Sequence, residues 1–317
     1  MKKSIAALAI VIALPALASG CSTAPADAVT QTTVTIGVTP GADLAPLYMG
    51  VKQGFFAEQG INLTINSLAA SSSAVLSAVD QEKFDFGFAD AVSIMEAKEA
   101  GLGLEVISGA AATTGDPRLD YAAIVVHPSS AVDSLDDLRF LHMSVDAEGT
   151  INDLVAKSAV EASGIEVSSV SWHEIPFVDA SEALTSRRVD AALVVEPFVT
   201  QARLAGFRVI SYPYAEFDSE LTVSGYVASS GLLEDDPELV ERFITALDAS
   251  FAYAEEETYE VRTNIGTYLS SEAAVEARLT LPRFTREFDR DALEKLAAAA
   301  VDHGFITQVP DLEALLP

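Results

Sequence analysis

Four carboxylates, Asp43, Asp90, Glu148 and Glu196, fall at turns where a strand should hand over to a helix, and no Arg or Lys falls beside them. In open α/β sheets, ligands bind outside the carboxyl ends of the strands. Acidic groups gathered there focus cations and hydrogen-bond donors. The chemistry this set offers is recognition rather than bond-making. The four histidines, His127, His142, His173 and His303, are far apart and form no H-x-x-x-H pair, and Cys21 is the only cysteine. There is no P-loop, no G-x-G-x-x-G after a strand and no G-x-S-x-G elbow. No catalytic residue, metal ligand or cofactor is therefore expected.

Each acidic group has a structural alternative. Asp43 can cap the helix after it, whose first turn suits Pro46. Asp90 can cap a helix at 91–100, and a cap at a strand's carboxyl end can face a cleft as well. Asp85 is expected to face solvent. Glu196 ends an apolar strand, where a carboxylate is costly without a donor. That donor is a ligand N–H or ammonium, a nearby Arg, or the start of a helix at 197–204. Gly149, Thr150 and Ile151 open a helix whose N–H groups would point into a cleft and favour an anion. Glu148 would compete with such an anion. Trp172, the only tryptophan, is either a packing residue or a stacking platform, and packing is the commoner role.

These groups need a scaffold of alternating strands and helices. Val34, Ile36 and Val38 alternate as in a strand, and Thr39-Pro40-Gly41 breaks it. Leu47, Val51 and Phe55 recur at helical spacing, with Tyr48 and Phe55 on the packing face and Gly60 as a stop. Strands are expected at 61–67, 84–88, 104–108, 121–127, 140–145, 169–175 and 207–211, and helices at 71–81, 91–100, 151–163 and 179–186. This rhythm calls for largely parallel sheets with helices on both faces. After a strand within 219–230, a long helix at 237–255 carries Leu239, Phe243, Leu247 and Phe251 at helical spacing. Further helices are expected near 259–269, 272–279 and 289–303.

The chain begins with Lys2 and Lys3, an apolar run at 5–18 and then Ala18-Ser19-Gly20-Cys21. The run is too short to span a bilayer and fits a secretory signal. The site resembles a bacterial lipoprotein cleavage site, with Cys21 lipidated. Residues 21–32 read as a flexible tether. The 317 residues hold 19 Lys and Arg against 47 Asp and Glu, a net charge of −28. Such a body repels phosphate backbones, so nucleic acid is not an expected partner.

The run APLYMGVKQGFFAEQGINLTI at 45–65 resembles the N-terminal signature of solute-binding proteins of nitrate/sulfonate/taurine-type ABC transporters, a group that includes binders of thiamine-pyrimidine precursors. Ala45, Pro46, Leu47, Tyr48, Gly54, Phe55, Phe56, Gly60 and Ile61 match, while Met49-Gly50 departs slightly at a small-residue position. Asp85-Phe-Gly-Phe-Ala89 and the 132–138 stretch are also similar. So are Val189, Asp190, Ala191, Glu196, Pro197 and Phe198, with Val195 where the family often has Trp. The resemblance implies a two-lobed periplasmic-binding-protein-like α/β fold of type II, each lobe a mostly parallel sheet flanked by helices, joined by a two-crossing hinge. Residues 1–20 would be signal peptide, 33–124 and 226–317 lobe one, and 125–225 lobe two, with 140–145 as lobe two's first strand.

The resemblance also implies a function. The protein would be an extracytoplasmic receptor, anchored to the membrane through Cys21, that delivers a small solute to an ABC permease and its ATPase. The expected solute contacts are Thr39, Pro40, Gly41, Asp43, Ala45, Ser71, Phe88, Asp90 and Ala91 on one wall. Gly149, Thr150, Ile151, Trp172, Glu196 and Phe198 are expected opposite. In the resembled family the helix start at 149–151 often holds the solute's acidic or polar head. The acidic cleft instead points to a nitrogen-bearing neutral or cationic solute, such as a thiamine-type pyrimidine, with a sulfonate, taurine or nitrate as the alternative. The eukaryotic pyrimidine synthases of the same superfamily carry clustered cysteines and an active-site histidine, which this chain lacks. A non-enzyme is therefore expected.

Overall fold

In a computed structural model, residues 31–67 and 71–316 are described, and they belong to one compact unit. The expected signal peptide, the lipidation site Cys21 and nearly all of the tether lie outside the described residues. No helix among those described is long and apolar enough to cross a membrane.

The first sheet starts with β1 (Thr32–Gly37), which buries Val34 and Ile36 through its two-residue period. It pairs in parallel with β2 (Ile61–Asn66) and β3 (Phe86–Asp90). Gly37 is required there, because a Cβ would lie 2.4 Å from the Phe84 ring. Asp85 is not a free surface acid: its Oδ2 accepts the Thr35 N–H at 2.7 Å and pins β1.

After β1 a short 3-10 turn, Ala42–Leu44, leads into the helix Ala45–Gln53. Gly54, at φ 88°, ends that helix in the left-handed region, so the expected single helix is two, the second being Phe55–Glu58. Gly50 is the small residue this helix needs. A Cβ there would lie 2.0 Å from Ser250 Oγ on the long helix Pro237–Glu256. That helix places Leu239, Phe243, Leu247 and Phe251 in the core as their spacing predicts. Phe243 stacks on Phe86 at 3.9 Å.

The chain crosses twice between two sheets. β4 (Leu104–Ala112) belongs to the first, and β5 (Ala122–Val126) is the second sheet's first strand. The expectation that 140–145 would open the second sheet is thus corrected: β6 (His142–Val145) comes after β5. β7 (Ser171–Glu174), β8 (Ala191–Val195) and β9 (Arg208–Ser211) complete the order β7-β6-β8-β5-β9. β10 (Thr222–Ser229) returns to the first sheet, and with β11 (Arg283–Phe284) gives β11-β4-β10-β3-β1-β2.

In each sheet the strand that arrives by crossing is inserted antiparallel between two others. β5 runs against β8 and β9, and β10 against β3 and β4. The remaining strands run one way, apart from the short edge strand β11. The result is a two-lobed α/β fold of type II, and it brings the carboxyl ends of β1, β3, β6 and β8 to one cleft. Helix Ala91–Glu99 of one lobe packs on helix Ile151–Ala162 of the other.

Candidate functional site

A cavity of about 320 Å³ lies between the lobes. One wall is the turn Thr39-Pro40-Gly41-Ala42-Asp43, with Ser71, Ser72, Phe88, Asp90, Val223 and Ser224. The other is Asp146, Ala147, Thr150, Ile151 and Asn152, with Tyr121, Pro176, Phe177, Val195 and Tyr214. Local packing sets the first turn. Tyr268 stacks on Tyr48 at 4.1 Å and donates its hydroxyl to Gly41 O at 2.8 Å.

Among the described residues, three carboxylates line this cavity and no Arg or Lys does. Asp43 accepts Ser224 Oγ at 3.1 Å rather than capping the helix after it. Burial, with some repulsion from Asp90, pushes its pKa up to about 6. Asp146 is likewise pushed up to about 6, first by burial and then by Asp90, against the Asn152 Nδ2 donor at 2.9 Å. Asn152 in turn accepts the hydroxyl of buried Tyr214, making a Tyr214–Asn152–Asp146 chain. The buried Tyr121 hydroxyl finds no partner among the described residues. A buried polar group left unpaired beside a cavity is a ready contact for a ligand.

Asp90 joins the two walls. Its Oδ1 accepts the N–H groups of Val92 at 3.1 Å and Ser93 at 3.0 Å, and Oδ2 accepts Ser93 Oγ at 2.6 Å. Across the cleft, the same Oδ1 accepts the Ile151 N–H at 3.1 Å. Asp90 therefore caps one helix and reaches the start of another in the opposite lobe. The expectation that the N–H groups of Gly149, Thr150 and Ile151 stand open to a solute is corrected for Gly149 and Ile151. Gly149 donates to Asp153 Oδ2 at 3.2 Å, and Ile151 to Asp90. Glu96 adds to the negative field at this helix start. A Cβ on Gly149 would lie 3.6 Å from both of its carboxylate oxygens. Burial and the charges of Asp90, Asp153 and Glu99 raise its pKa to about 7. Glu148 is exposed, and its N–H donates to Glu174 Oε1.

Of the expected contacts, Thr39, Pro40, Gly41, Asp43, Ser71, Phe88, Asp90, Thr150 and Ile151 line the cavity. Ala45, Ala91, Gly149, Trp172, Glu196 and Phe198 do not. Ala45 and Ala91 are buried at the starts of their helices. Trp172 packs on the core and donates Nε1 to Val167 O at 3.1 Å. Phe198 packs against Phe177 and the second sheet's core. Glu196 is a buried tie. Its oxygens accept Thr200 N at 3.0 Å, Thr200 Oγ at 2.8 Å and Thr280 N at 2.9 Å. The costly buried acid anticipated from sequence thus has its donors within the protein. Burial raises its pKa despite these bonds.

Asp146, Asn152, Tyr121 and Tyr214 were not expected in the site. Asp146 had a visible signal, since it directly follows an expected strand end. The tyrosines had none, because they sit near the two crossings. His142 and His173, distant in sequence, meet at 2.8 Å across β6 and β7. Among the described residues, no cluster of three or more His, Cys, Asp or Glu could hold a metal ion.

Two outcomes follow from these acids. Glu196→Gln leaves one oxygen for three donors, so denaturant unfolding should show a loss of about 1–3 kcal/mol, while affinity for a cleft ligand changes less than twofold. Asp146 has a folded pKa above its unfolded value. Its burial therefore disfavours the folded state above pH 6, and that effect fades as pH falls toward 4. Asp146→Asn should then be more stable than wild type by about 1–2 kcal/mol at pH 7.5, allowing for partial exposure. At pH 4 it should be no more stable, as paired thermal melts at the two pH values would reveal.

Comparison with known proteins places this arrangement. No curated protein matches the chain by sequence. The alkanesulfonate-binding protein SsuA from Xanthomonas axonopodis pv. citri bound to MOPS superposes with a TM-score of 0.72 at 16% identity, over 88% of this chain and 94% of that one. The periplasmic aliphatic sulphonate binding protein SsuA from Escherichia coli gives 0.72 at 15% identity, over 90% and 92%. The desulfurization enzyme DSZB gives 0.68 at 16% identity, over 90% and 97%. At these identities the likeness is one of fold. The family model described as NMT1/THI5 like matches residues 42–260, more than half of the sequence. The chain belongs to the NMT1/THI5-like family.

Proposed function

We propose that the protein is an extracytoplasmic solute-binding receptor of an ABC importer, and that it captures a small nitrogen-bearing neutral or cationic solute between its lobes. The observation that carries this reading is the cavity's lining among the described residues: Asp43, Asp90 and Asp146, the Tyr121 hydroxyl without a partner there, and no basic side chain. An ammonium, amidine-like edge or aminopyrimidine would find acceptors there, with Phe88 and Phe177 as apolar walls. A thiamine-type pyrimidine has this chemistry. The lobes, divided where β4 passes to β5 and β9 to β10, would close around it by a hinge motion. Lipidation at Cys21 would keep the receptor near its permease and ATPase.

The sulfonate-binding names of two structural neighbours favour a second reading, in which the solute is a sulfonate, taurine or nitrate. Such an anion would meet a helix start whose Ile151 N–H is already given to Asp90, and would sit among three carboxylates. The desulfurization enzyme among the neighbours has the same fold. Fold alone does not carry an activity, and the cleft offers acceptors and donors rather than an activated nucleophile.

A thermal-shift panel separates the readings. Aminopyrimidines and small amine cations should raise the melting point, with about 2.7 kcal/mol of added stability at 100 times the dissociation constant. Methanesulfonate, taurine and nitrate should leave it unchanged. Stabilisation by the sulfonates, with none by the pyrimidines, would reverse the assignment.

A further inference from the structure

A second concavity, of about 750 Å³, shares no residue with the acidic cavity. Its lining comes from both lobes. Arg203 and Leu204 stand on helix Phe198–Leu204, packed with the second sheet's core. Arg262, on helix Thr258–Leu269, and Arg278 belong to segments whose Val261, Ile265 and Leu279 enter the first sheet's core. Leu119 from the first crossing and Leu281 complete the apolar part.

The charge of this groove is anomalous. Acidic residues outnumber basic ones 47 to 19 in the chain, yet among the described residues three arginines line the groove and no Asp or Glu does. Arg118, Arg208, Arg283, Arg286 and Arg290 each have a carboxylate partner. Arg203, Arg262 and Arg278 have none within ion-pair distance among the described residues. Two of the three are positioned by backbone oxygens instead. Arg262 donates Nε to Leu279 O at 3.1 Å and Nη1 to Thr258 O at 3.3 Å, and Arg278 donates Nη1 to Ala274 O at 2.9 Å. A guanidinium has five N–H donors, so each keeps several to offer. The acid nearest in effect, Glu196, is already held by Thr200 and Thr280.

The groove also exposes apolar surface. Leu119 is 43% and Leu204 48% exposed, among the few large hydrophobic side chains so open to solvent. Guanidiniums suit phosphate through paired N–H donors, and the leucines suit a short hydrocarbon. We propose that this groove binds an amphipathic phosphate, its head on Arg203, Arg262 and Arg278 and its alkyl part on Leu119, Leu204 and Leu281. Bound there, the head group bridges the two lobes beside the Glu196–Thr280 tie. The source of the phosphate is a soluble monoester or an anionic lipid head group.

Calorimetric titration of the whole chain with octyl phosphate, kept below its micelle concentration, tests this. Saturable binding is expected, at least tenfold tighter than inorganic phosphate and absent for octylammonium at this groove. Arg203→Gln with Arg278→Gln should weaken it tenfold or more, and Asp146→Asn in the acidic cavity should leave it within twofold. The single Arg203→Gln change, at an exposed side chain with no ion-pair partner, keeps the test valid if the double variant misfolds, and should weaken binding at least threefold. Cosedimentation with phosphatidylglycerol vesicles that is lost in the variant assigns the head group to lipid. Binding of octyl phosphate without cosedimentation assigns it to a soluble ester. No saturable binding, or equal affinity in wild type and the Arg203→Gln variant, overturns the proposal.

Discussion

Asp90 sits where two helices begin. Its carboxylate takes the first N–H groups of its own helix, and then the N–H of Ile151 from the other lobe. Hydrogen bonds to a charged acceptor contribute about 1.5–3 kcal/mol each when well placed, and helix starts favour negative charge. One side chain thus takes N–H groups from two helix N-termini and links the lobes along the cleft. It also fixes the cleft's electrostatics. The Gly149 and Ile151 N–H groups at the second helix start are given to the protein's own carboxylates, and Asp43 and Asp146 are left partly desolvated around Asp90.

The topology makes this meeting possible. Inserting β5 and β10 antiparallel within their sheets lets the chain cross twice while β1, β3, β6 and β8 all end at one cleft. Away from it, the lobes are tied again where Glu196 of the second lobe accepts the Thr280 N–H. The two acids have opposite relations to solvent. Asp90 borders a cavity that a solute can enter, whereas Glu196 is sealed among protein donors.

Legibility from sequence followed local chemistry. That the turn Thr39–Asp43, Phe88, Asp90, Thr150 and Ile151 border a cavity could be read because each ends a strand or starts a helix, where α/β folds open a crevice. The 237–256 helix was plain from its four-residue apolar period. Glu196 and Trp172 fall outside the cavity lining for one physical reason. Burial, not position near a strand end, decides whether a group faces a ligand. Burial in turn depends on packing from other segments, such as the backbone at Thr280 for Glu196 and the 3-10 turn at Val167 for Trp172. Tyr121 and Tyr214 reach the cavity only because the crossings fold back over it, and no local pattern announces that. The acceptors that Gly149 and Ile151 find for their N–H groups are Asp153 and Asp90, the latter 61 residues from Ile151.

The central claim is that ionised carboxylates hold the solute. Its most direct test is the dissociation constant of an aminopyrimidine that stays in one protonation state from pH 5 to pH 7, measured by calorimetry at both values. With Asp43 and Asp146 titrating near pH 6, each carboxylate the solute engages should make binding about tenfold tighter at pH 7 than at pH 5. Affinity that is flat across this range, or that tightens as the pH falls, would contradict the account.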